Sequence, residues 1–100
     1  MKLIRRLQIH PTNPEILFAA TSDGIYRTLD GGNNWTKVRG GYYKDIEFKP
    51  GDPNVIYAAS SGGGANIFRS TDGGTTWAQV TSFTGMIFNV NWLNIFLQKS

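Results

Sequence analysis

The sequence predicts an all-β fold: two copies of one four-stranded antiparallel unit, then the start of a third. Three observations predict it. An eight-residue phrase occurs twice, as Thr28-Leu29-Asp30-Gly31-Gly32-Asn33-Asn34-Trp35 and as Ser70-Thr71-Asp72-Gly73-Gly74-Thr75-Thr76-Trp77. The residues upstream repeat as well. Leu7 to Thr21 lies over Ile46 to Ser60, with Pro11 and Pro14 on Pro50 and Pro53, and Ala19-Ala20 on Ala58-Ala59. No segment carries helical periodicity long enough to compete with strands. The repeat length is about 40 residues, that of one propeller blade or solenoid unit.

The first unit runs over residues 3–38. Leu3, Arg5, Leu7 and Ile9 alternate with Ile4, Arg6 and Gln8, the pattern of a strand. Pro11 and Pro14 interrupt it, because proline has no N–H for a ladder. A second strand follows through Leu17, Phe18, Ala19 and Ala20, with small residues where layers come close. Asp23-Gly24 makes a tight hairpin, Ile25 to Thr28 a third strand, and Asp30-Gly31-Gly32 the next turn. The fourth strand resumes after Trp35.

The second unit runs over residues 43–80 in the same order. Asp45-Ile46-Glu47-Phe48 is the first strand and Pro50-Gly51-Asp52-Pro53 a turn. Asn54 to Ser60 is the second strand. Gly62-Gly63-Gly64 makes a longer hairpin loop than its counterpart. Asn66 to Ser70 is the third strand and Thr76 to Val80 the fourth. Residues 84–100 start a third unit at Phe88-Asn89-Val90, but the two prolines do not follow. This stretch reads as a truncated third repeat or an atypical C-terminal cap.

Composition narrows the function classes. One hundred residues make a single small domain. With no cysteine there is no disulfide framework, thiol catalysis or thiolate metal site. The net charge of +3 is too small and too scattered for nucleic-acid binding. Met1-Lys2-Leu3-Ile4-Arg5-Arg6 puts charge where a signal peptide needs an apolar run, so no signal peptide is read in this chain. Phe83 to Leu97 is apolar but shorter than the roughly 20 residues of a membrane span. No membrane or nucleic-acid partner is expected.

The repeated phrases resemble the BNR/Asp-box repeats of β-propellers, Ser/Thr-x-Asp-x-Gly-x-Thr-Trp. Ser70, Asp72, Gly74, Thr76 and Trp77 match throughout box 70–77. Thr28, Asp30, Gly32 and Trp35 match in box 28–35, with Asn34 in place of the threonine. The lead-in Asp45-Ile46-x-Phe48, Pro50-x-x-Pro53-x-x-Ile56-Tyr57-Ala58 is similar to inner strands of xyloglucanase-type glycoside hydrolases and of sortilin-type and photosystem II assembly-factor-type propellers. The resemblance implies two four-stranded antiparallel propeller blades plus the start of a third, in an incomplete ring. Rings close with typically four to eight blades. The expected partners are therefore further blades or self-association.

The two aspartates of the phrase read as structural. A short carboxylate can accept the backbone N–H groups of its own turn, and the glycines supply left-handed conformations. Trp35 and Trp77 are expected to pack between sheets. An EF-hand-type calcium loop would need an acid where Gly41 or Phe83 stands. No metal or cofactor is expected. His10, alone and aligned with Lys49, reads as an exposed turn residue. Tyr43 and Trp92 read as packing residues before sugar platforms. Arg27 and Arg69 recur within the hairpin and read as structural, and Tyr42 and Tyr43 lack the supporting set of a sialidase site. Asn34-Trp35-Thr36 fits a glycosylation pattern but lies inside the box.

Where the two units differ, the chain has latitude for a ligand. Those positions are Arg5 against Lys44, Arg6 against Asp45, and the Gly62 to Asn66 loop. First strands line a propeller's channel, so Arg6 and Asp45 are candidate channel-facing residues. The xyloglucanase resemblance implies catalytic aspartates on or near inner strands, which makes Asp45 the one catalytic candidate. Glycoside hydrolysis needs two carboxyl groups, and the repeat mate of Asp45 is an arginine, so a solvated or Arg6-paired role is preferred. The leading expectation is a non-catalytic scaffold for protein or glycan binding. The alternative is a fragment of a secreted glycoside hydrolase that acts on β-glucan. The full-length form is expected to be extracellular or periplasmic.

Overall fold

Each repeat folds into its own sheet. The computed structural model describes residues 2–61 and 66–80. The first sheet contains β1 (Ile4–Ile9), β2 (Leu17–Thr21), β3 (Gly24–Thr28) and β4 (Thr36–Gly40). The second contains β5 (Tyr43–Lys49), β6 (Asp52–Ser60), β7 (Ile67–Ser70) and β8 (Ala78–Val80). Both are four-stranded antiparallel meanders in chain order. The chain forms two blades of a β-propeller. The expected Gly62-Gly63-Gly64 loop, the third unit and Trp92 lie outside the described residues.

The core forms where the blades face each other. Ala20 stands opposite Ile25, and Gln8 opposite Phe18, on one face of the first sheet. Ala58 stands between Ile46 and Phe68 on the second. Phe18, Ala20, Ile25, Ile46, Ile56, Ala58 and Phe68 make one buried cluster with Tyr43. Apolar burial at about 25 cal/mol per Å² drives this contact. Polar ties reinforce it. Arg27 Nη1 donates to Gly73 O (3.3 Å) and Thr75 Oγ1 (3.0 Å), and the Arg39 guanidinium lies 4.3 Å from the Phe68 ring centre.

The turns between third and fourth strands show why the phrase repeats. Thr28 Oγ1 accepts from Gly32 N at 3.0 Å and donates to Asp30 Oδ1 at 2.7 Å. Ser70 does the same for Gly74 N and Asp72 Oδ1, both at 2.8 Å. Gly31 and Gly73 also bond back to the carbonyls of Glu15 and Asn54. Gly31, Gly32, Gly73 and Gly74 all have φ between 72 and 100°, which favours glycine. Asn34 replaces the threonine without loss. Its Nδ2 donates to Asp30 Oδ2 at 2.8 Å, as the Thr76 hydroxyl donates to Asp72 Oδ2 at 2.6 Å.

Three local expectations are corrected. The turn before β6 is shorter than predicted: Lys49 pairs with Asp52 across Pro50-Gly51, with Gly51 at φ 82°. Pro53 falls within β6, but the register breaks between Phe48 and Lys49, so no ladder bond is asked of it. His10 is half-buried, not exposed. Its ring meets Phe48 edge-on at 5.5 Å, and its Nδ1 accepts from the backbone N–H groups of Thr12 and Asn13 at 3.1 Å. Finally, both tryptophans are half-buried, and Trp77 packs against the core cluster whereas Trp35 lies beside Gly32. Trp35 occupies the outer side of the first blade, where the described residues place no neighbouring sheet.

Candidate functional site

β1 and β5 are end strands of their sheets and run beside each other. Each carries a register break at the same repeat position, between Ile4 and Arg6 and between Tyr43 and Asp45. A bulge re-aims the residue that follows it. Here it brings Arg6 and Asp45 together.

Arg6 Nε lies 3.6 Å from Asp45 Oδ1, and Arg6 Nη2 donates to Glu47 Oε2 at 3.2 Å. Gln8 Nε2 donates to Glu47 Oε1 at 3.2 Å. Asp45 and Glu47 share a strand face two residues apart. Asp45 is 2% exposed, so it is not solvated. Its Oδ1 accepts from the Ile46 N–H at 2.8 Å. Its Oδ2 and the Nε of Arg6 are buried with no hydrogen-bond partner.

The electrostatics follow from that geometry. Burial first, then the like charge of Glu47, push the Asp45 carboxyl up from 3.8 to about 6. The Ile46 N–H and the Arg6 charge oppose this shift and do not cancel it. Glu47 was missed by the sequence argument, which compared Asp45 only with its repeat mate. The signal was present in the alternation Asp45-Ile46-Glu47, which puts both acids on one face.

The other candidates fall into separate places. Asp30 and Asp72 spend both carboxylate oxygens within their own turns. Hydrogen bonds from Asn34 and Thr28 lower Asp30 to about 2, and bonds from Thr76 hold Asp72 lower still. Asp23 anchors the β2–β3 hairpin, accepting from Tyr26 Oη at 2.8 Å and Thr21 Oγ1 at 2.9 Å, with Lys37 at 3.6 Å. The Tyr26 bond is the largest cause of its carboxyl sitting at about 2. Tyr43 is buried, with its hydroxyl bonded to Gly40 O at 2.9 Å, so its ring presents no platform. Arg5 instead bonds the exposed Tyr42 hydroxyl. Among the described residues no three His, Asp or Glu side chains converge as metal ligands.

Comparison with known proteins points in one direction. The chain is 32% identical to the xyloglucanase Xgh74A of Acetivibrio thermocellus, over 75% of this chain and 12% of the xyloglucanase. The structure resembles the crystal structure of an ancestral GH74 enzyme with a TM-score of 0.70 and 25% identity, covering 77% of this chain and 12% of that one. No family model matches the sequence. The chain thus corresponds to a glycoside-hydrolase-like propeller fragment, and it spans about an eighth of the length of these relatives, 12% in each case.

Proposed function

We propose that this chain forms two Asp-box blades of an extracellular propeller acting on β-glucans of the xyloglucan type, and that these blades hold glycan and neighbouring blades without supplying a complete catalytic pair. One observation carries the second half of this reading. The two acids on the inner strands stand on one strand face, bridged by a single guanidinium, and Asp45 is buried. Glycosidases place two carboxyl groups on opposite sides of a sugar bond, about 5–9.5 Å apart with room for the ring. A buried acid beside its Arg6 partner offers no such room. The resemblance to a xyloglucanase supports the choice of β-glucan. A polysaccharide of that size is met outside the cell, which supports the extracellular reading.

A second reading makes Asp45 a proton-donating acid of a hydrolase. Its carboxyl at about 6 lies in the range that general acids occupy. Affinity electrophoresis of the purified chain in gels cast with xyloglucan, with a reducing-end assay alongside, separates the two. The first reading expects retardation in the gel and no new reducing ends. Reducing ends that disappear in Asp45→Asn would favour the second. Mobility equal to that in a gel without polysaccharide would refute glycan binding by this chain.

A further inference from the structure

We propose that Arg6, Asp45 and Glu47 form a proton-controlled latch between the two blades: Glu47 holds Arg6 while Asp45 carries a proton, and Asp45 draws Arg6 to itself when that proton leaves. Arg6 belongs to β1 of the first blade and both acids to β5 of the second, so the trio spans the junction. Arg6 is already divided between them. Its Nη2 is within bonding distance of Glu47, while its Nε faces Asp45 at 3.6 Å without a bond.

The geometry leaves an ionised Asp45 poorly compensated. Its side chain is 3% exposed, one oxygen has a single N–H partner and the other has none. A buried charge in that state is costly unless it is paired and hydrogen-bonded. The groups around it offer little else. β1 brings Arg6 and the neutral Gln8. β5 brings Glu47, with Lys44 adjacent in the chain, and β6 brings Ala59 opposite Asp45 and Tyr57 opposite Glu47. With the proton on Asp45 the trio is neutral; without it the trio carries one negative charge.

The direction of the effect is fixed by linkage. The folded chain holds this proton more tightly than the unfolded chain, whose aspartate titrates near 3.8. The stabilising contribution of the proton is complete below about 3.8 and is lost as pH rises through about 6.

The test is a ¹³C-carboxyl NMR titration of the full chain between pH 4 and 8, with Glu47→Gln beside it. The expected midpoint for Asp45 is about 6, and removing the Glu47 charge moves it down toward the ordinary aspartate value. A wild-type midpoint at the ordinary value overturns the proposal, and so does a midpoint that ignores Glu47→Gln. Should that variant fail to fold, urea unfolding supplies the second readout. The wild-type folding constant falls about tenfold between pH 5 and pH 8 by linkage, and in Asp45→Asn this fall is absent. The same fall in both chains would place the titration elsewhere and sink the latch.

Discussion

Replacing Gly74 by alanine should cost far more stability than the same change at Gly32, although the two glycines hold the same place in the repeat. Both have left-handed φ, 95° and 100°. An alanine there loses about 1–2 kcal/mol to backbone strain alone. The surroundings then separate them. A Cβ on Gly32 meets nothing nearer than the Trp35 ring at 3.9 Å, an ordinary contact. A Cβ on Gly74 would stand 2.4 Å from two ring carbons of Phe18 and 3.5 Å from Ile56. Carbon atoms rest about 3.5–4.0 Å apart, so the ring must retreat by about 1 Å. Phe18 is 1% exposed and its ring is already set edge-on to Phe48 at 5.7 Å. Overpacking of this kind costs about 1–3 kcal/mol. Gly74→Ala should therefore lose about 2–5 kcal/mol and Gly32→Ala only the strain. In a domain of this size each kcal/mol shifts Tm by about 4–8 °C. Urea unfolding followed by tryptophan fluorescence, with thermal melts by circular dichroism, would measure both. Equal losses in the two variants would refute the placement of Phe18 of the first blade against the turn of the second.

Further outcomes follow from the same contacts. Asn34→Thr should leave the urea midpoint unchanged, because threonine fills that role at position 76, whereas Thr76→Val should lower it by removing the 2.6 Å bond to Asp72. Thermal melts across pH should give a stability maximum on the acid side. Asp30 contributes above 3.8 and loses its contribution as pH falls through about 2, while Asp45 works in the opposite sense between 3.8 and about 6. At neutral pH Asp45→Asn should raise stability; the interval from 3.8 to about 6, at about 1.36 kcal/mol per pH unit, amounts to at most about 3 kcal/mol. Leu7 and Ile9 are 49% and 56% exposed on the outer face of the first blade. Sedimentation velocity should show self-association of the wild-type chain, weakened in a Leu7→Lys, Ile9→Lys double variant; a wild-type monomer at high concentration would contradict this.

The strands were legible because two independent signals agreed on them, the alternation within each strand and the repetition between units. The glycine turns were legible because only particular residues fit left-handed backbone. Side-chain environments were less so. His10 and Lys49 align, yet His10 has Phe48 beside it and takes two backbone N–H groups on its ring nitrogen. Trp35 and Trp77 are equivalent in sequence and both half-buried, but only Trp77 packs against the core cluster. Such outcomes depend on which blade stands next door, and a residue's own neighbourhood in the chain does not carry that. Glu47 was legible in principle, through the two-residue spacing from Asp45.

A repeat comparison suggests that agreement between copies serves the fold and disagreement serves function. Neighbouring blades qualify this rule. In a ring of blades, equivalent positions are brought next to one another, as Arg6 is to Asp45 at 3.6 Å and Gln8 to Glu47 at 3.2 Å. Had both copies kept the same charged residue at either position, like charges would face each other across the junction. The disagreement is then required by packing, and Arg6 against Asp45 is explained without a substrate. Arg5 and Lys44, by contrast, agree in charge and sit at the register breaks, and there Arg5 bonds Tyr42. Only a difference between copies whose residues do not meet their own counterparts is left for a ligand to use. Among the sequence differences, that condition directs attention to the hairpin between the second and third strands. There Ser22-Asp23-Gly24 is closed by its own Thr21, Tyr26 and Lys37 contacts, and the second copy has a longer, glycine-rich sequence at that point.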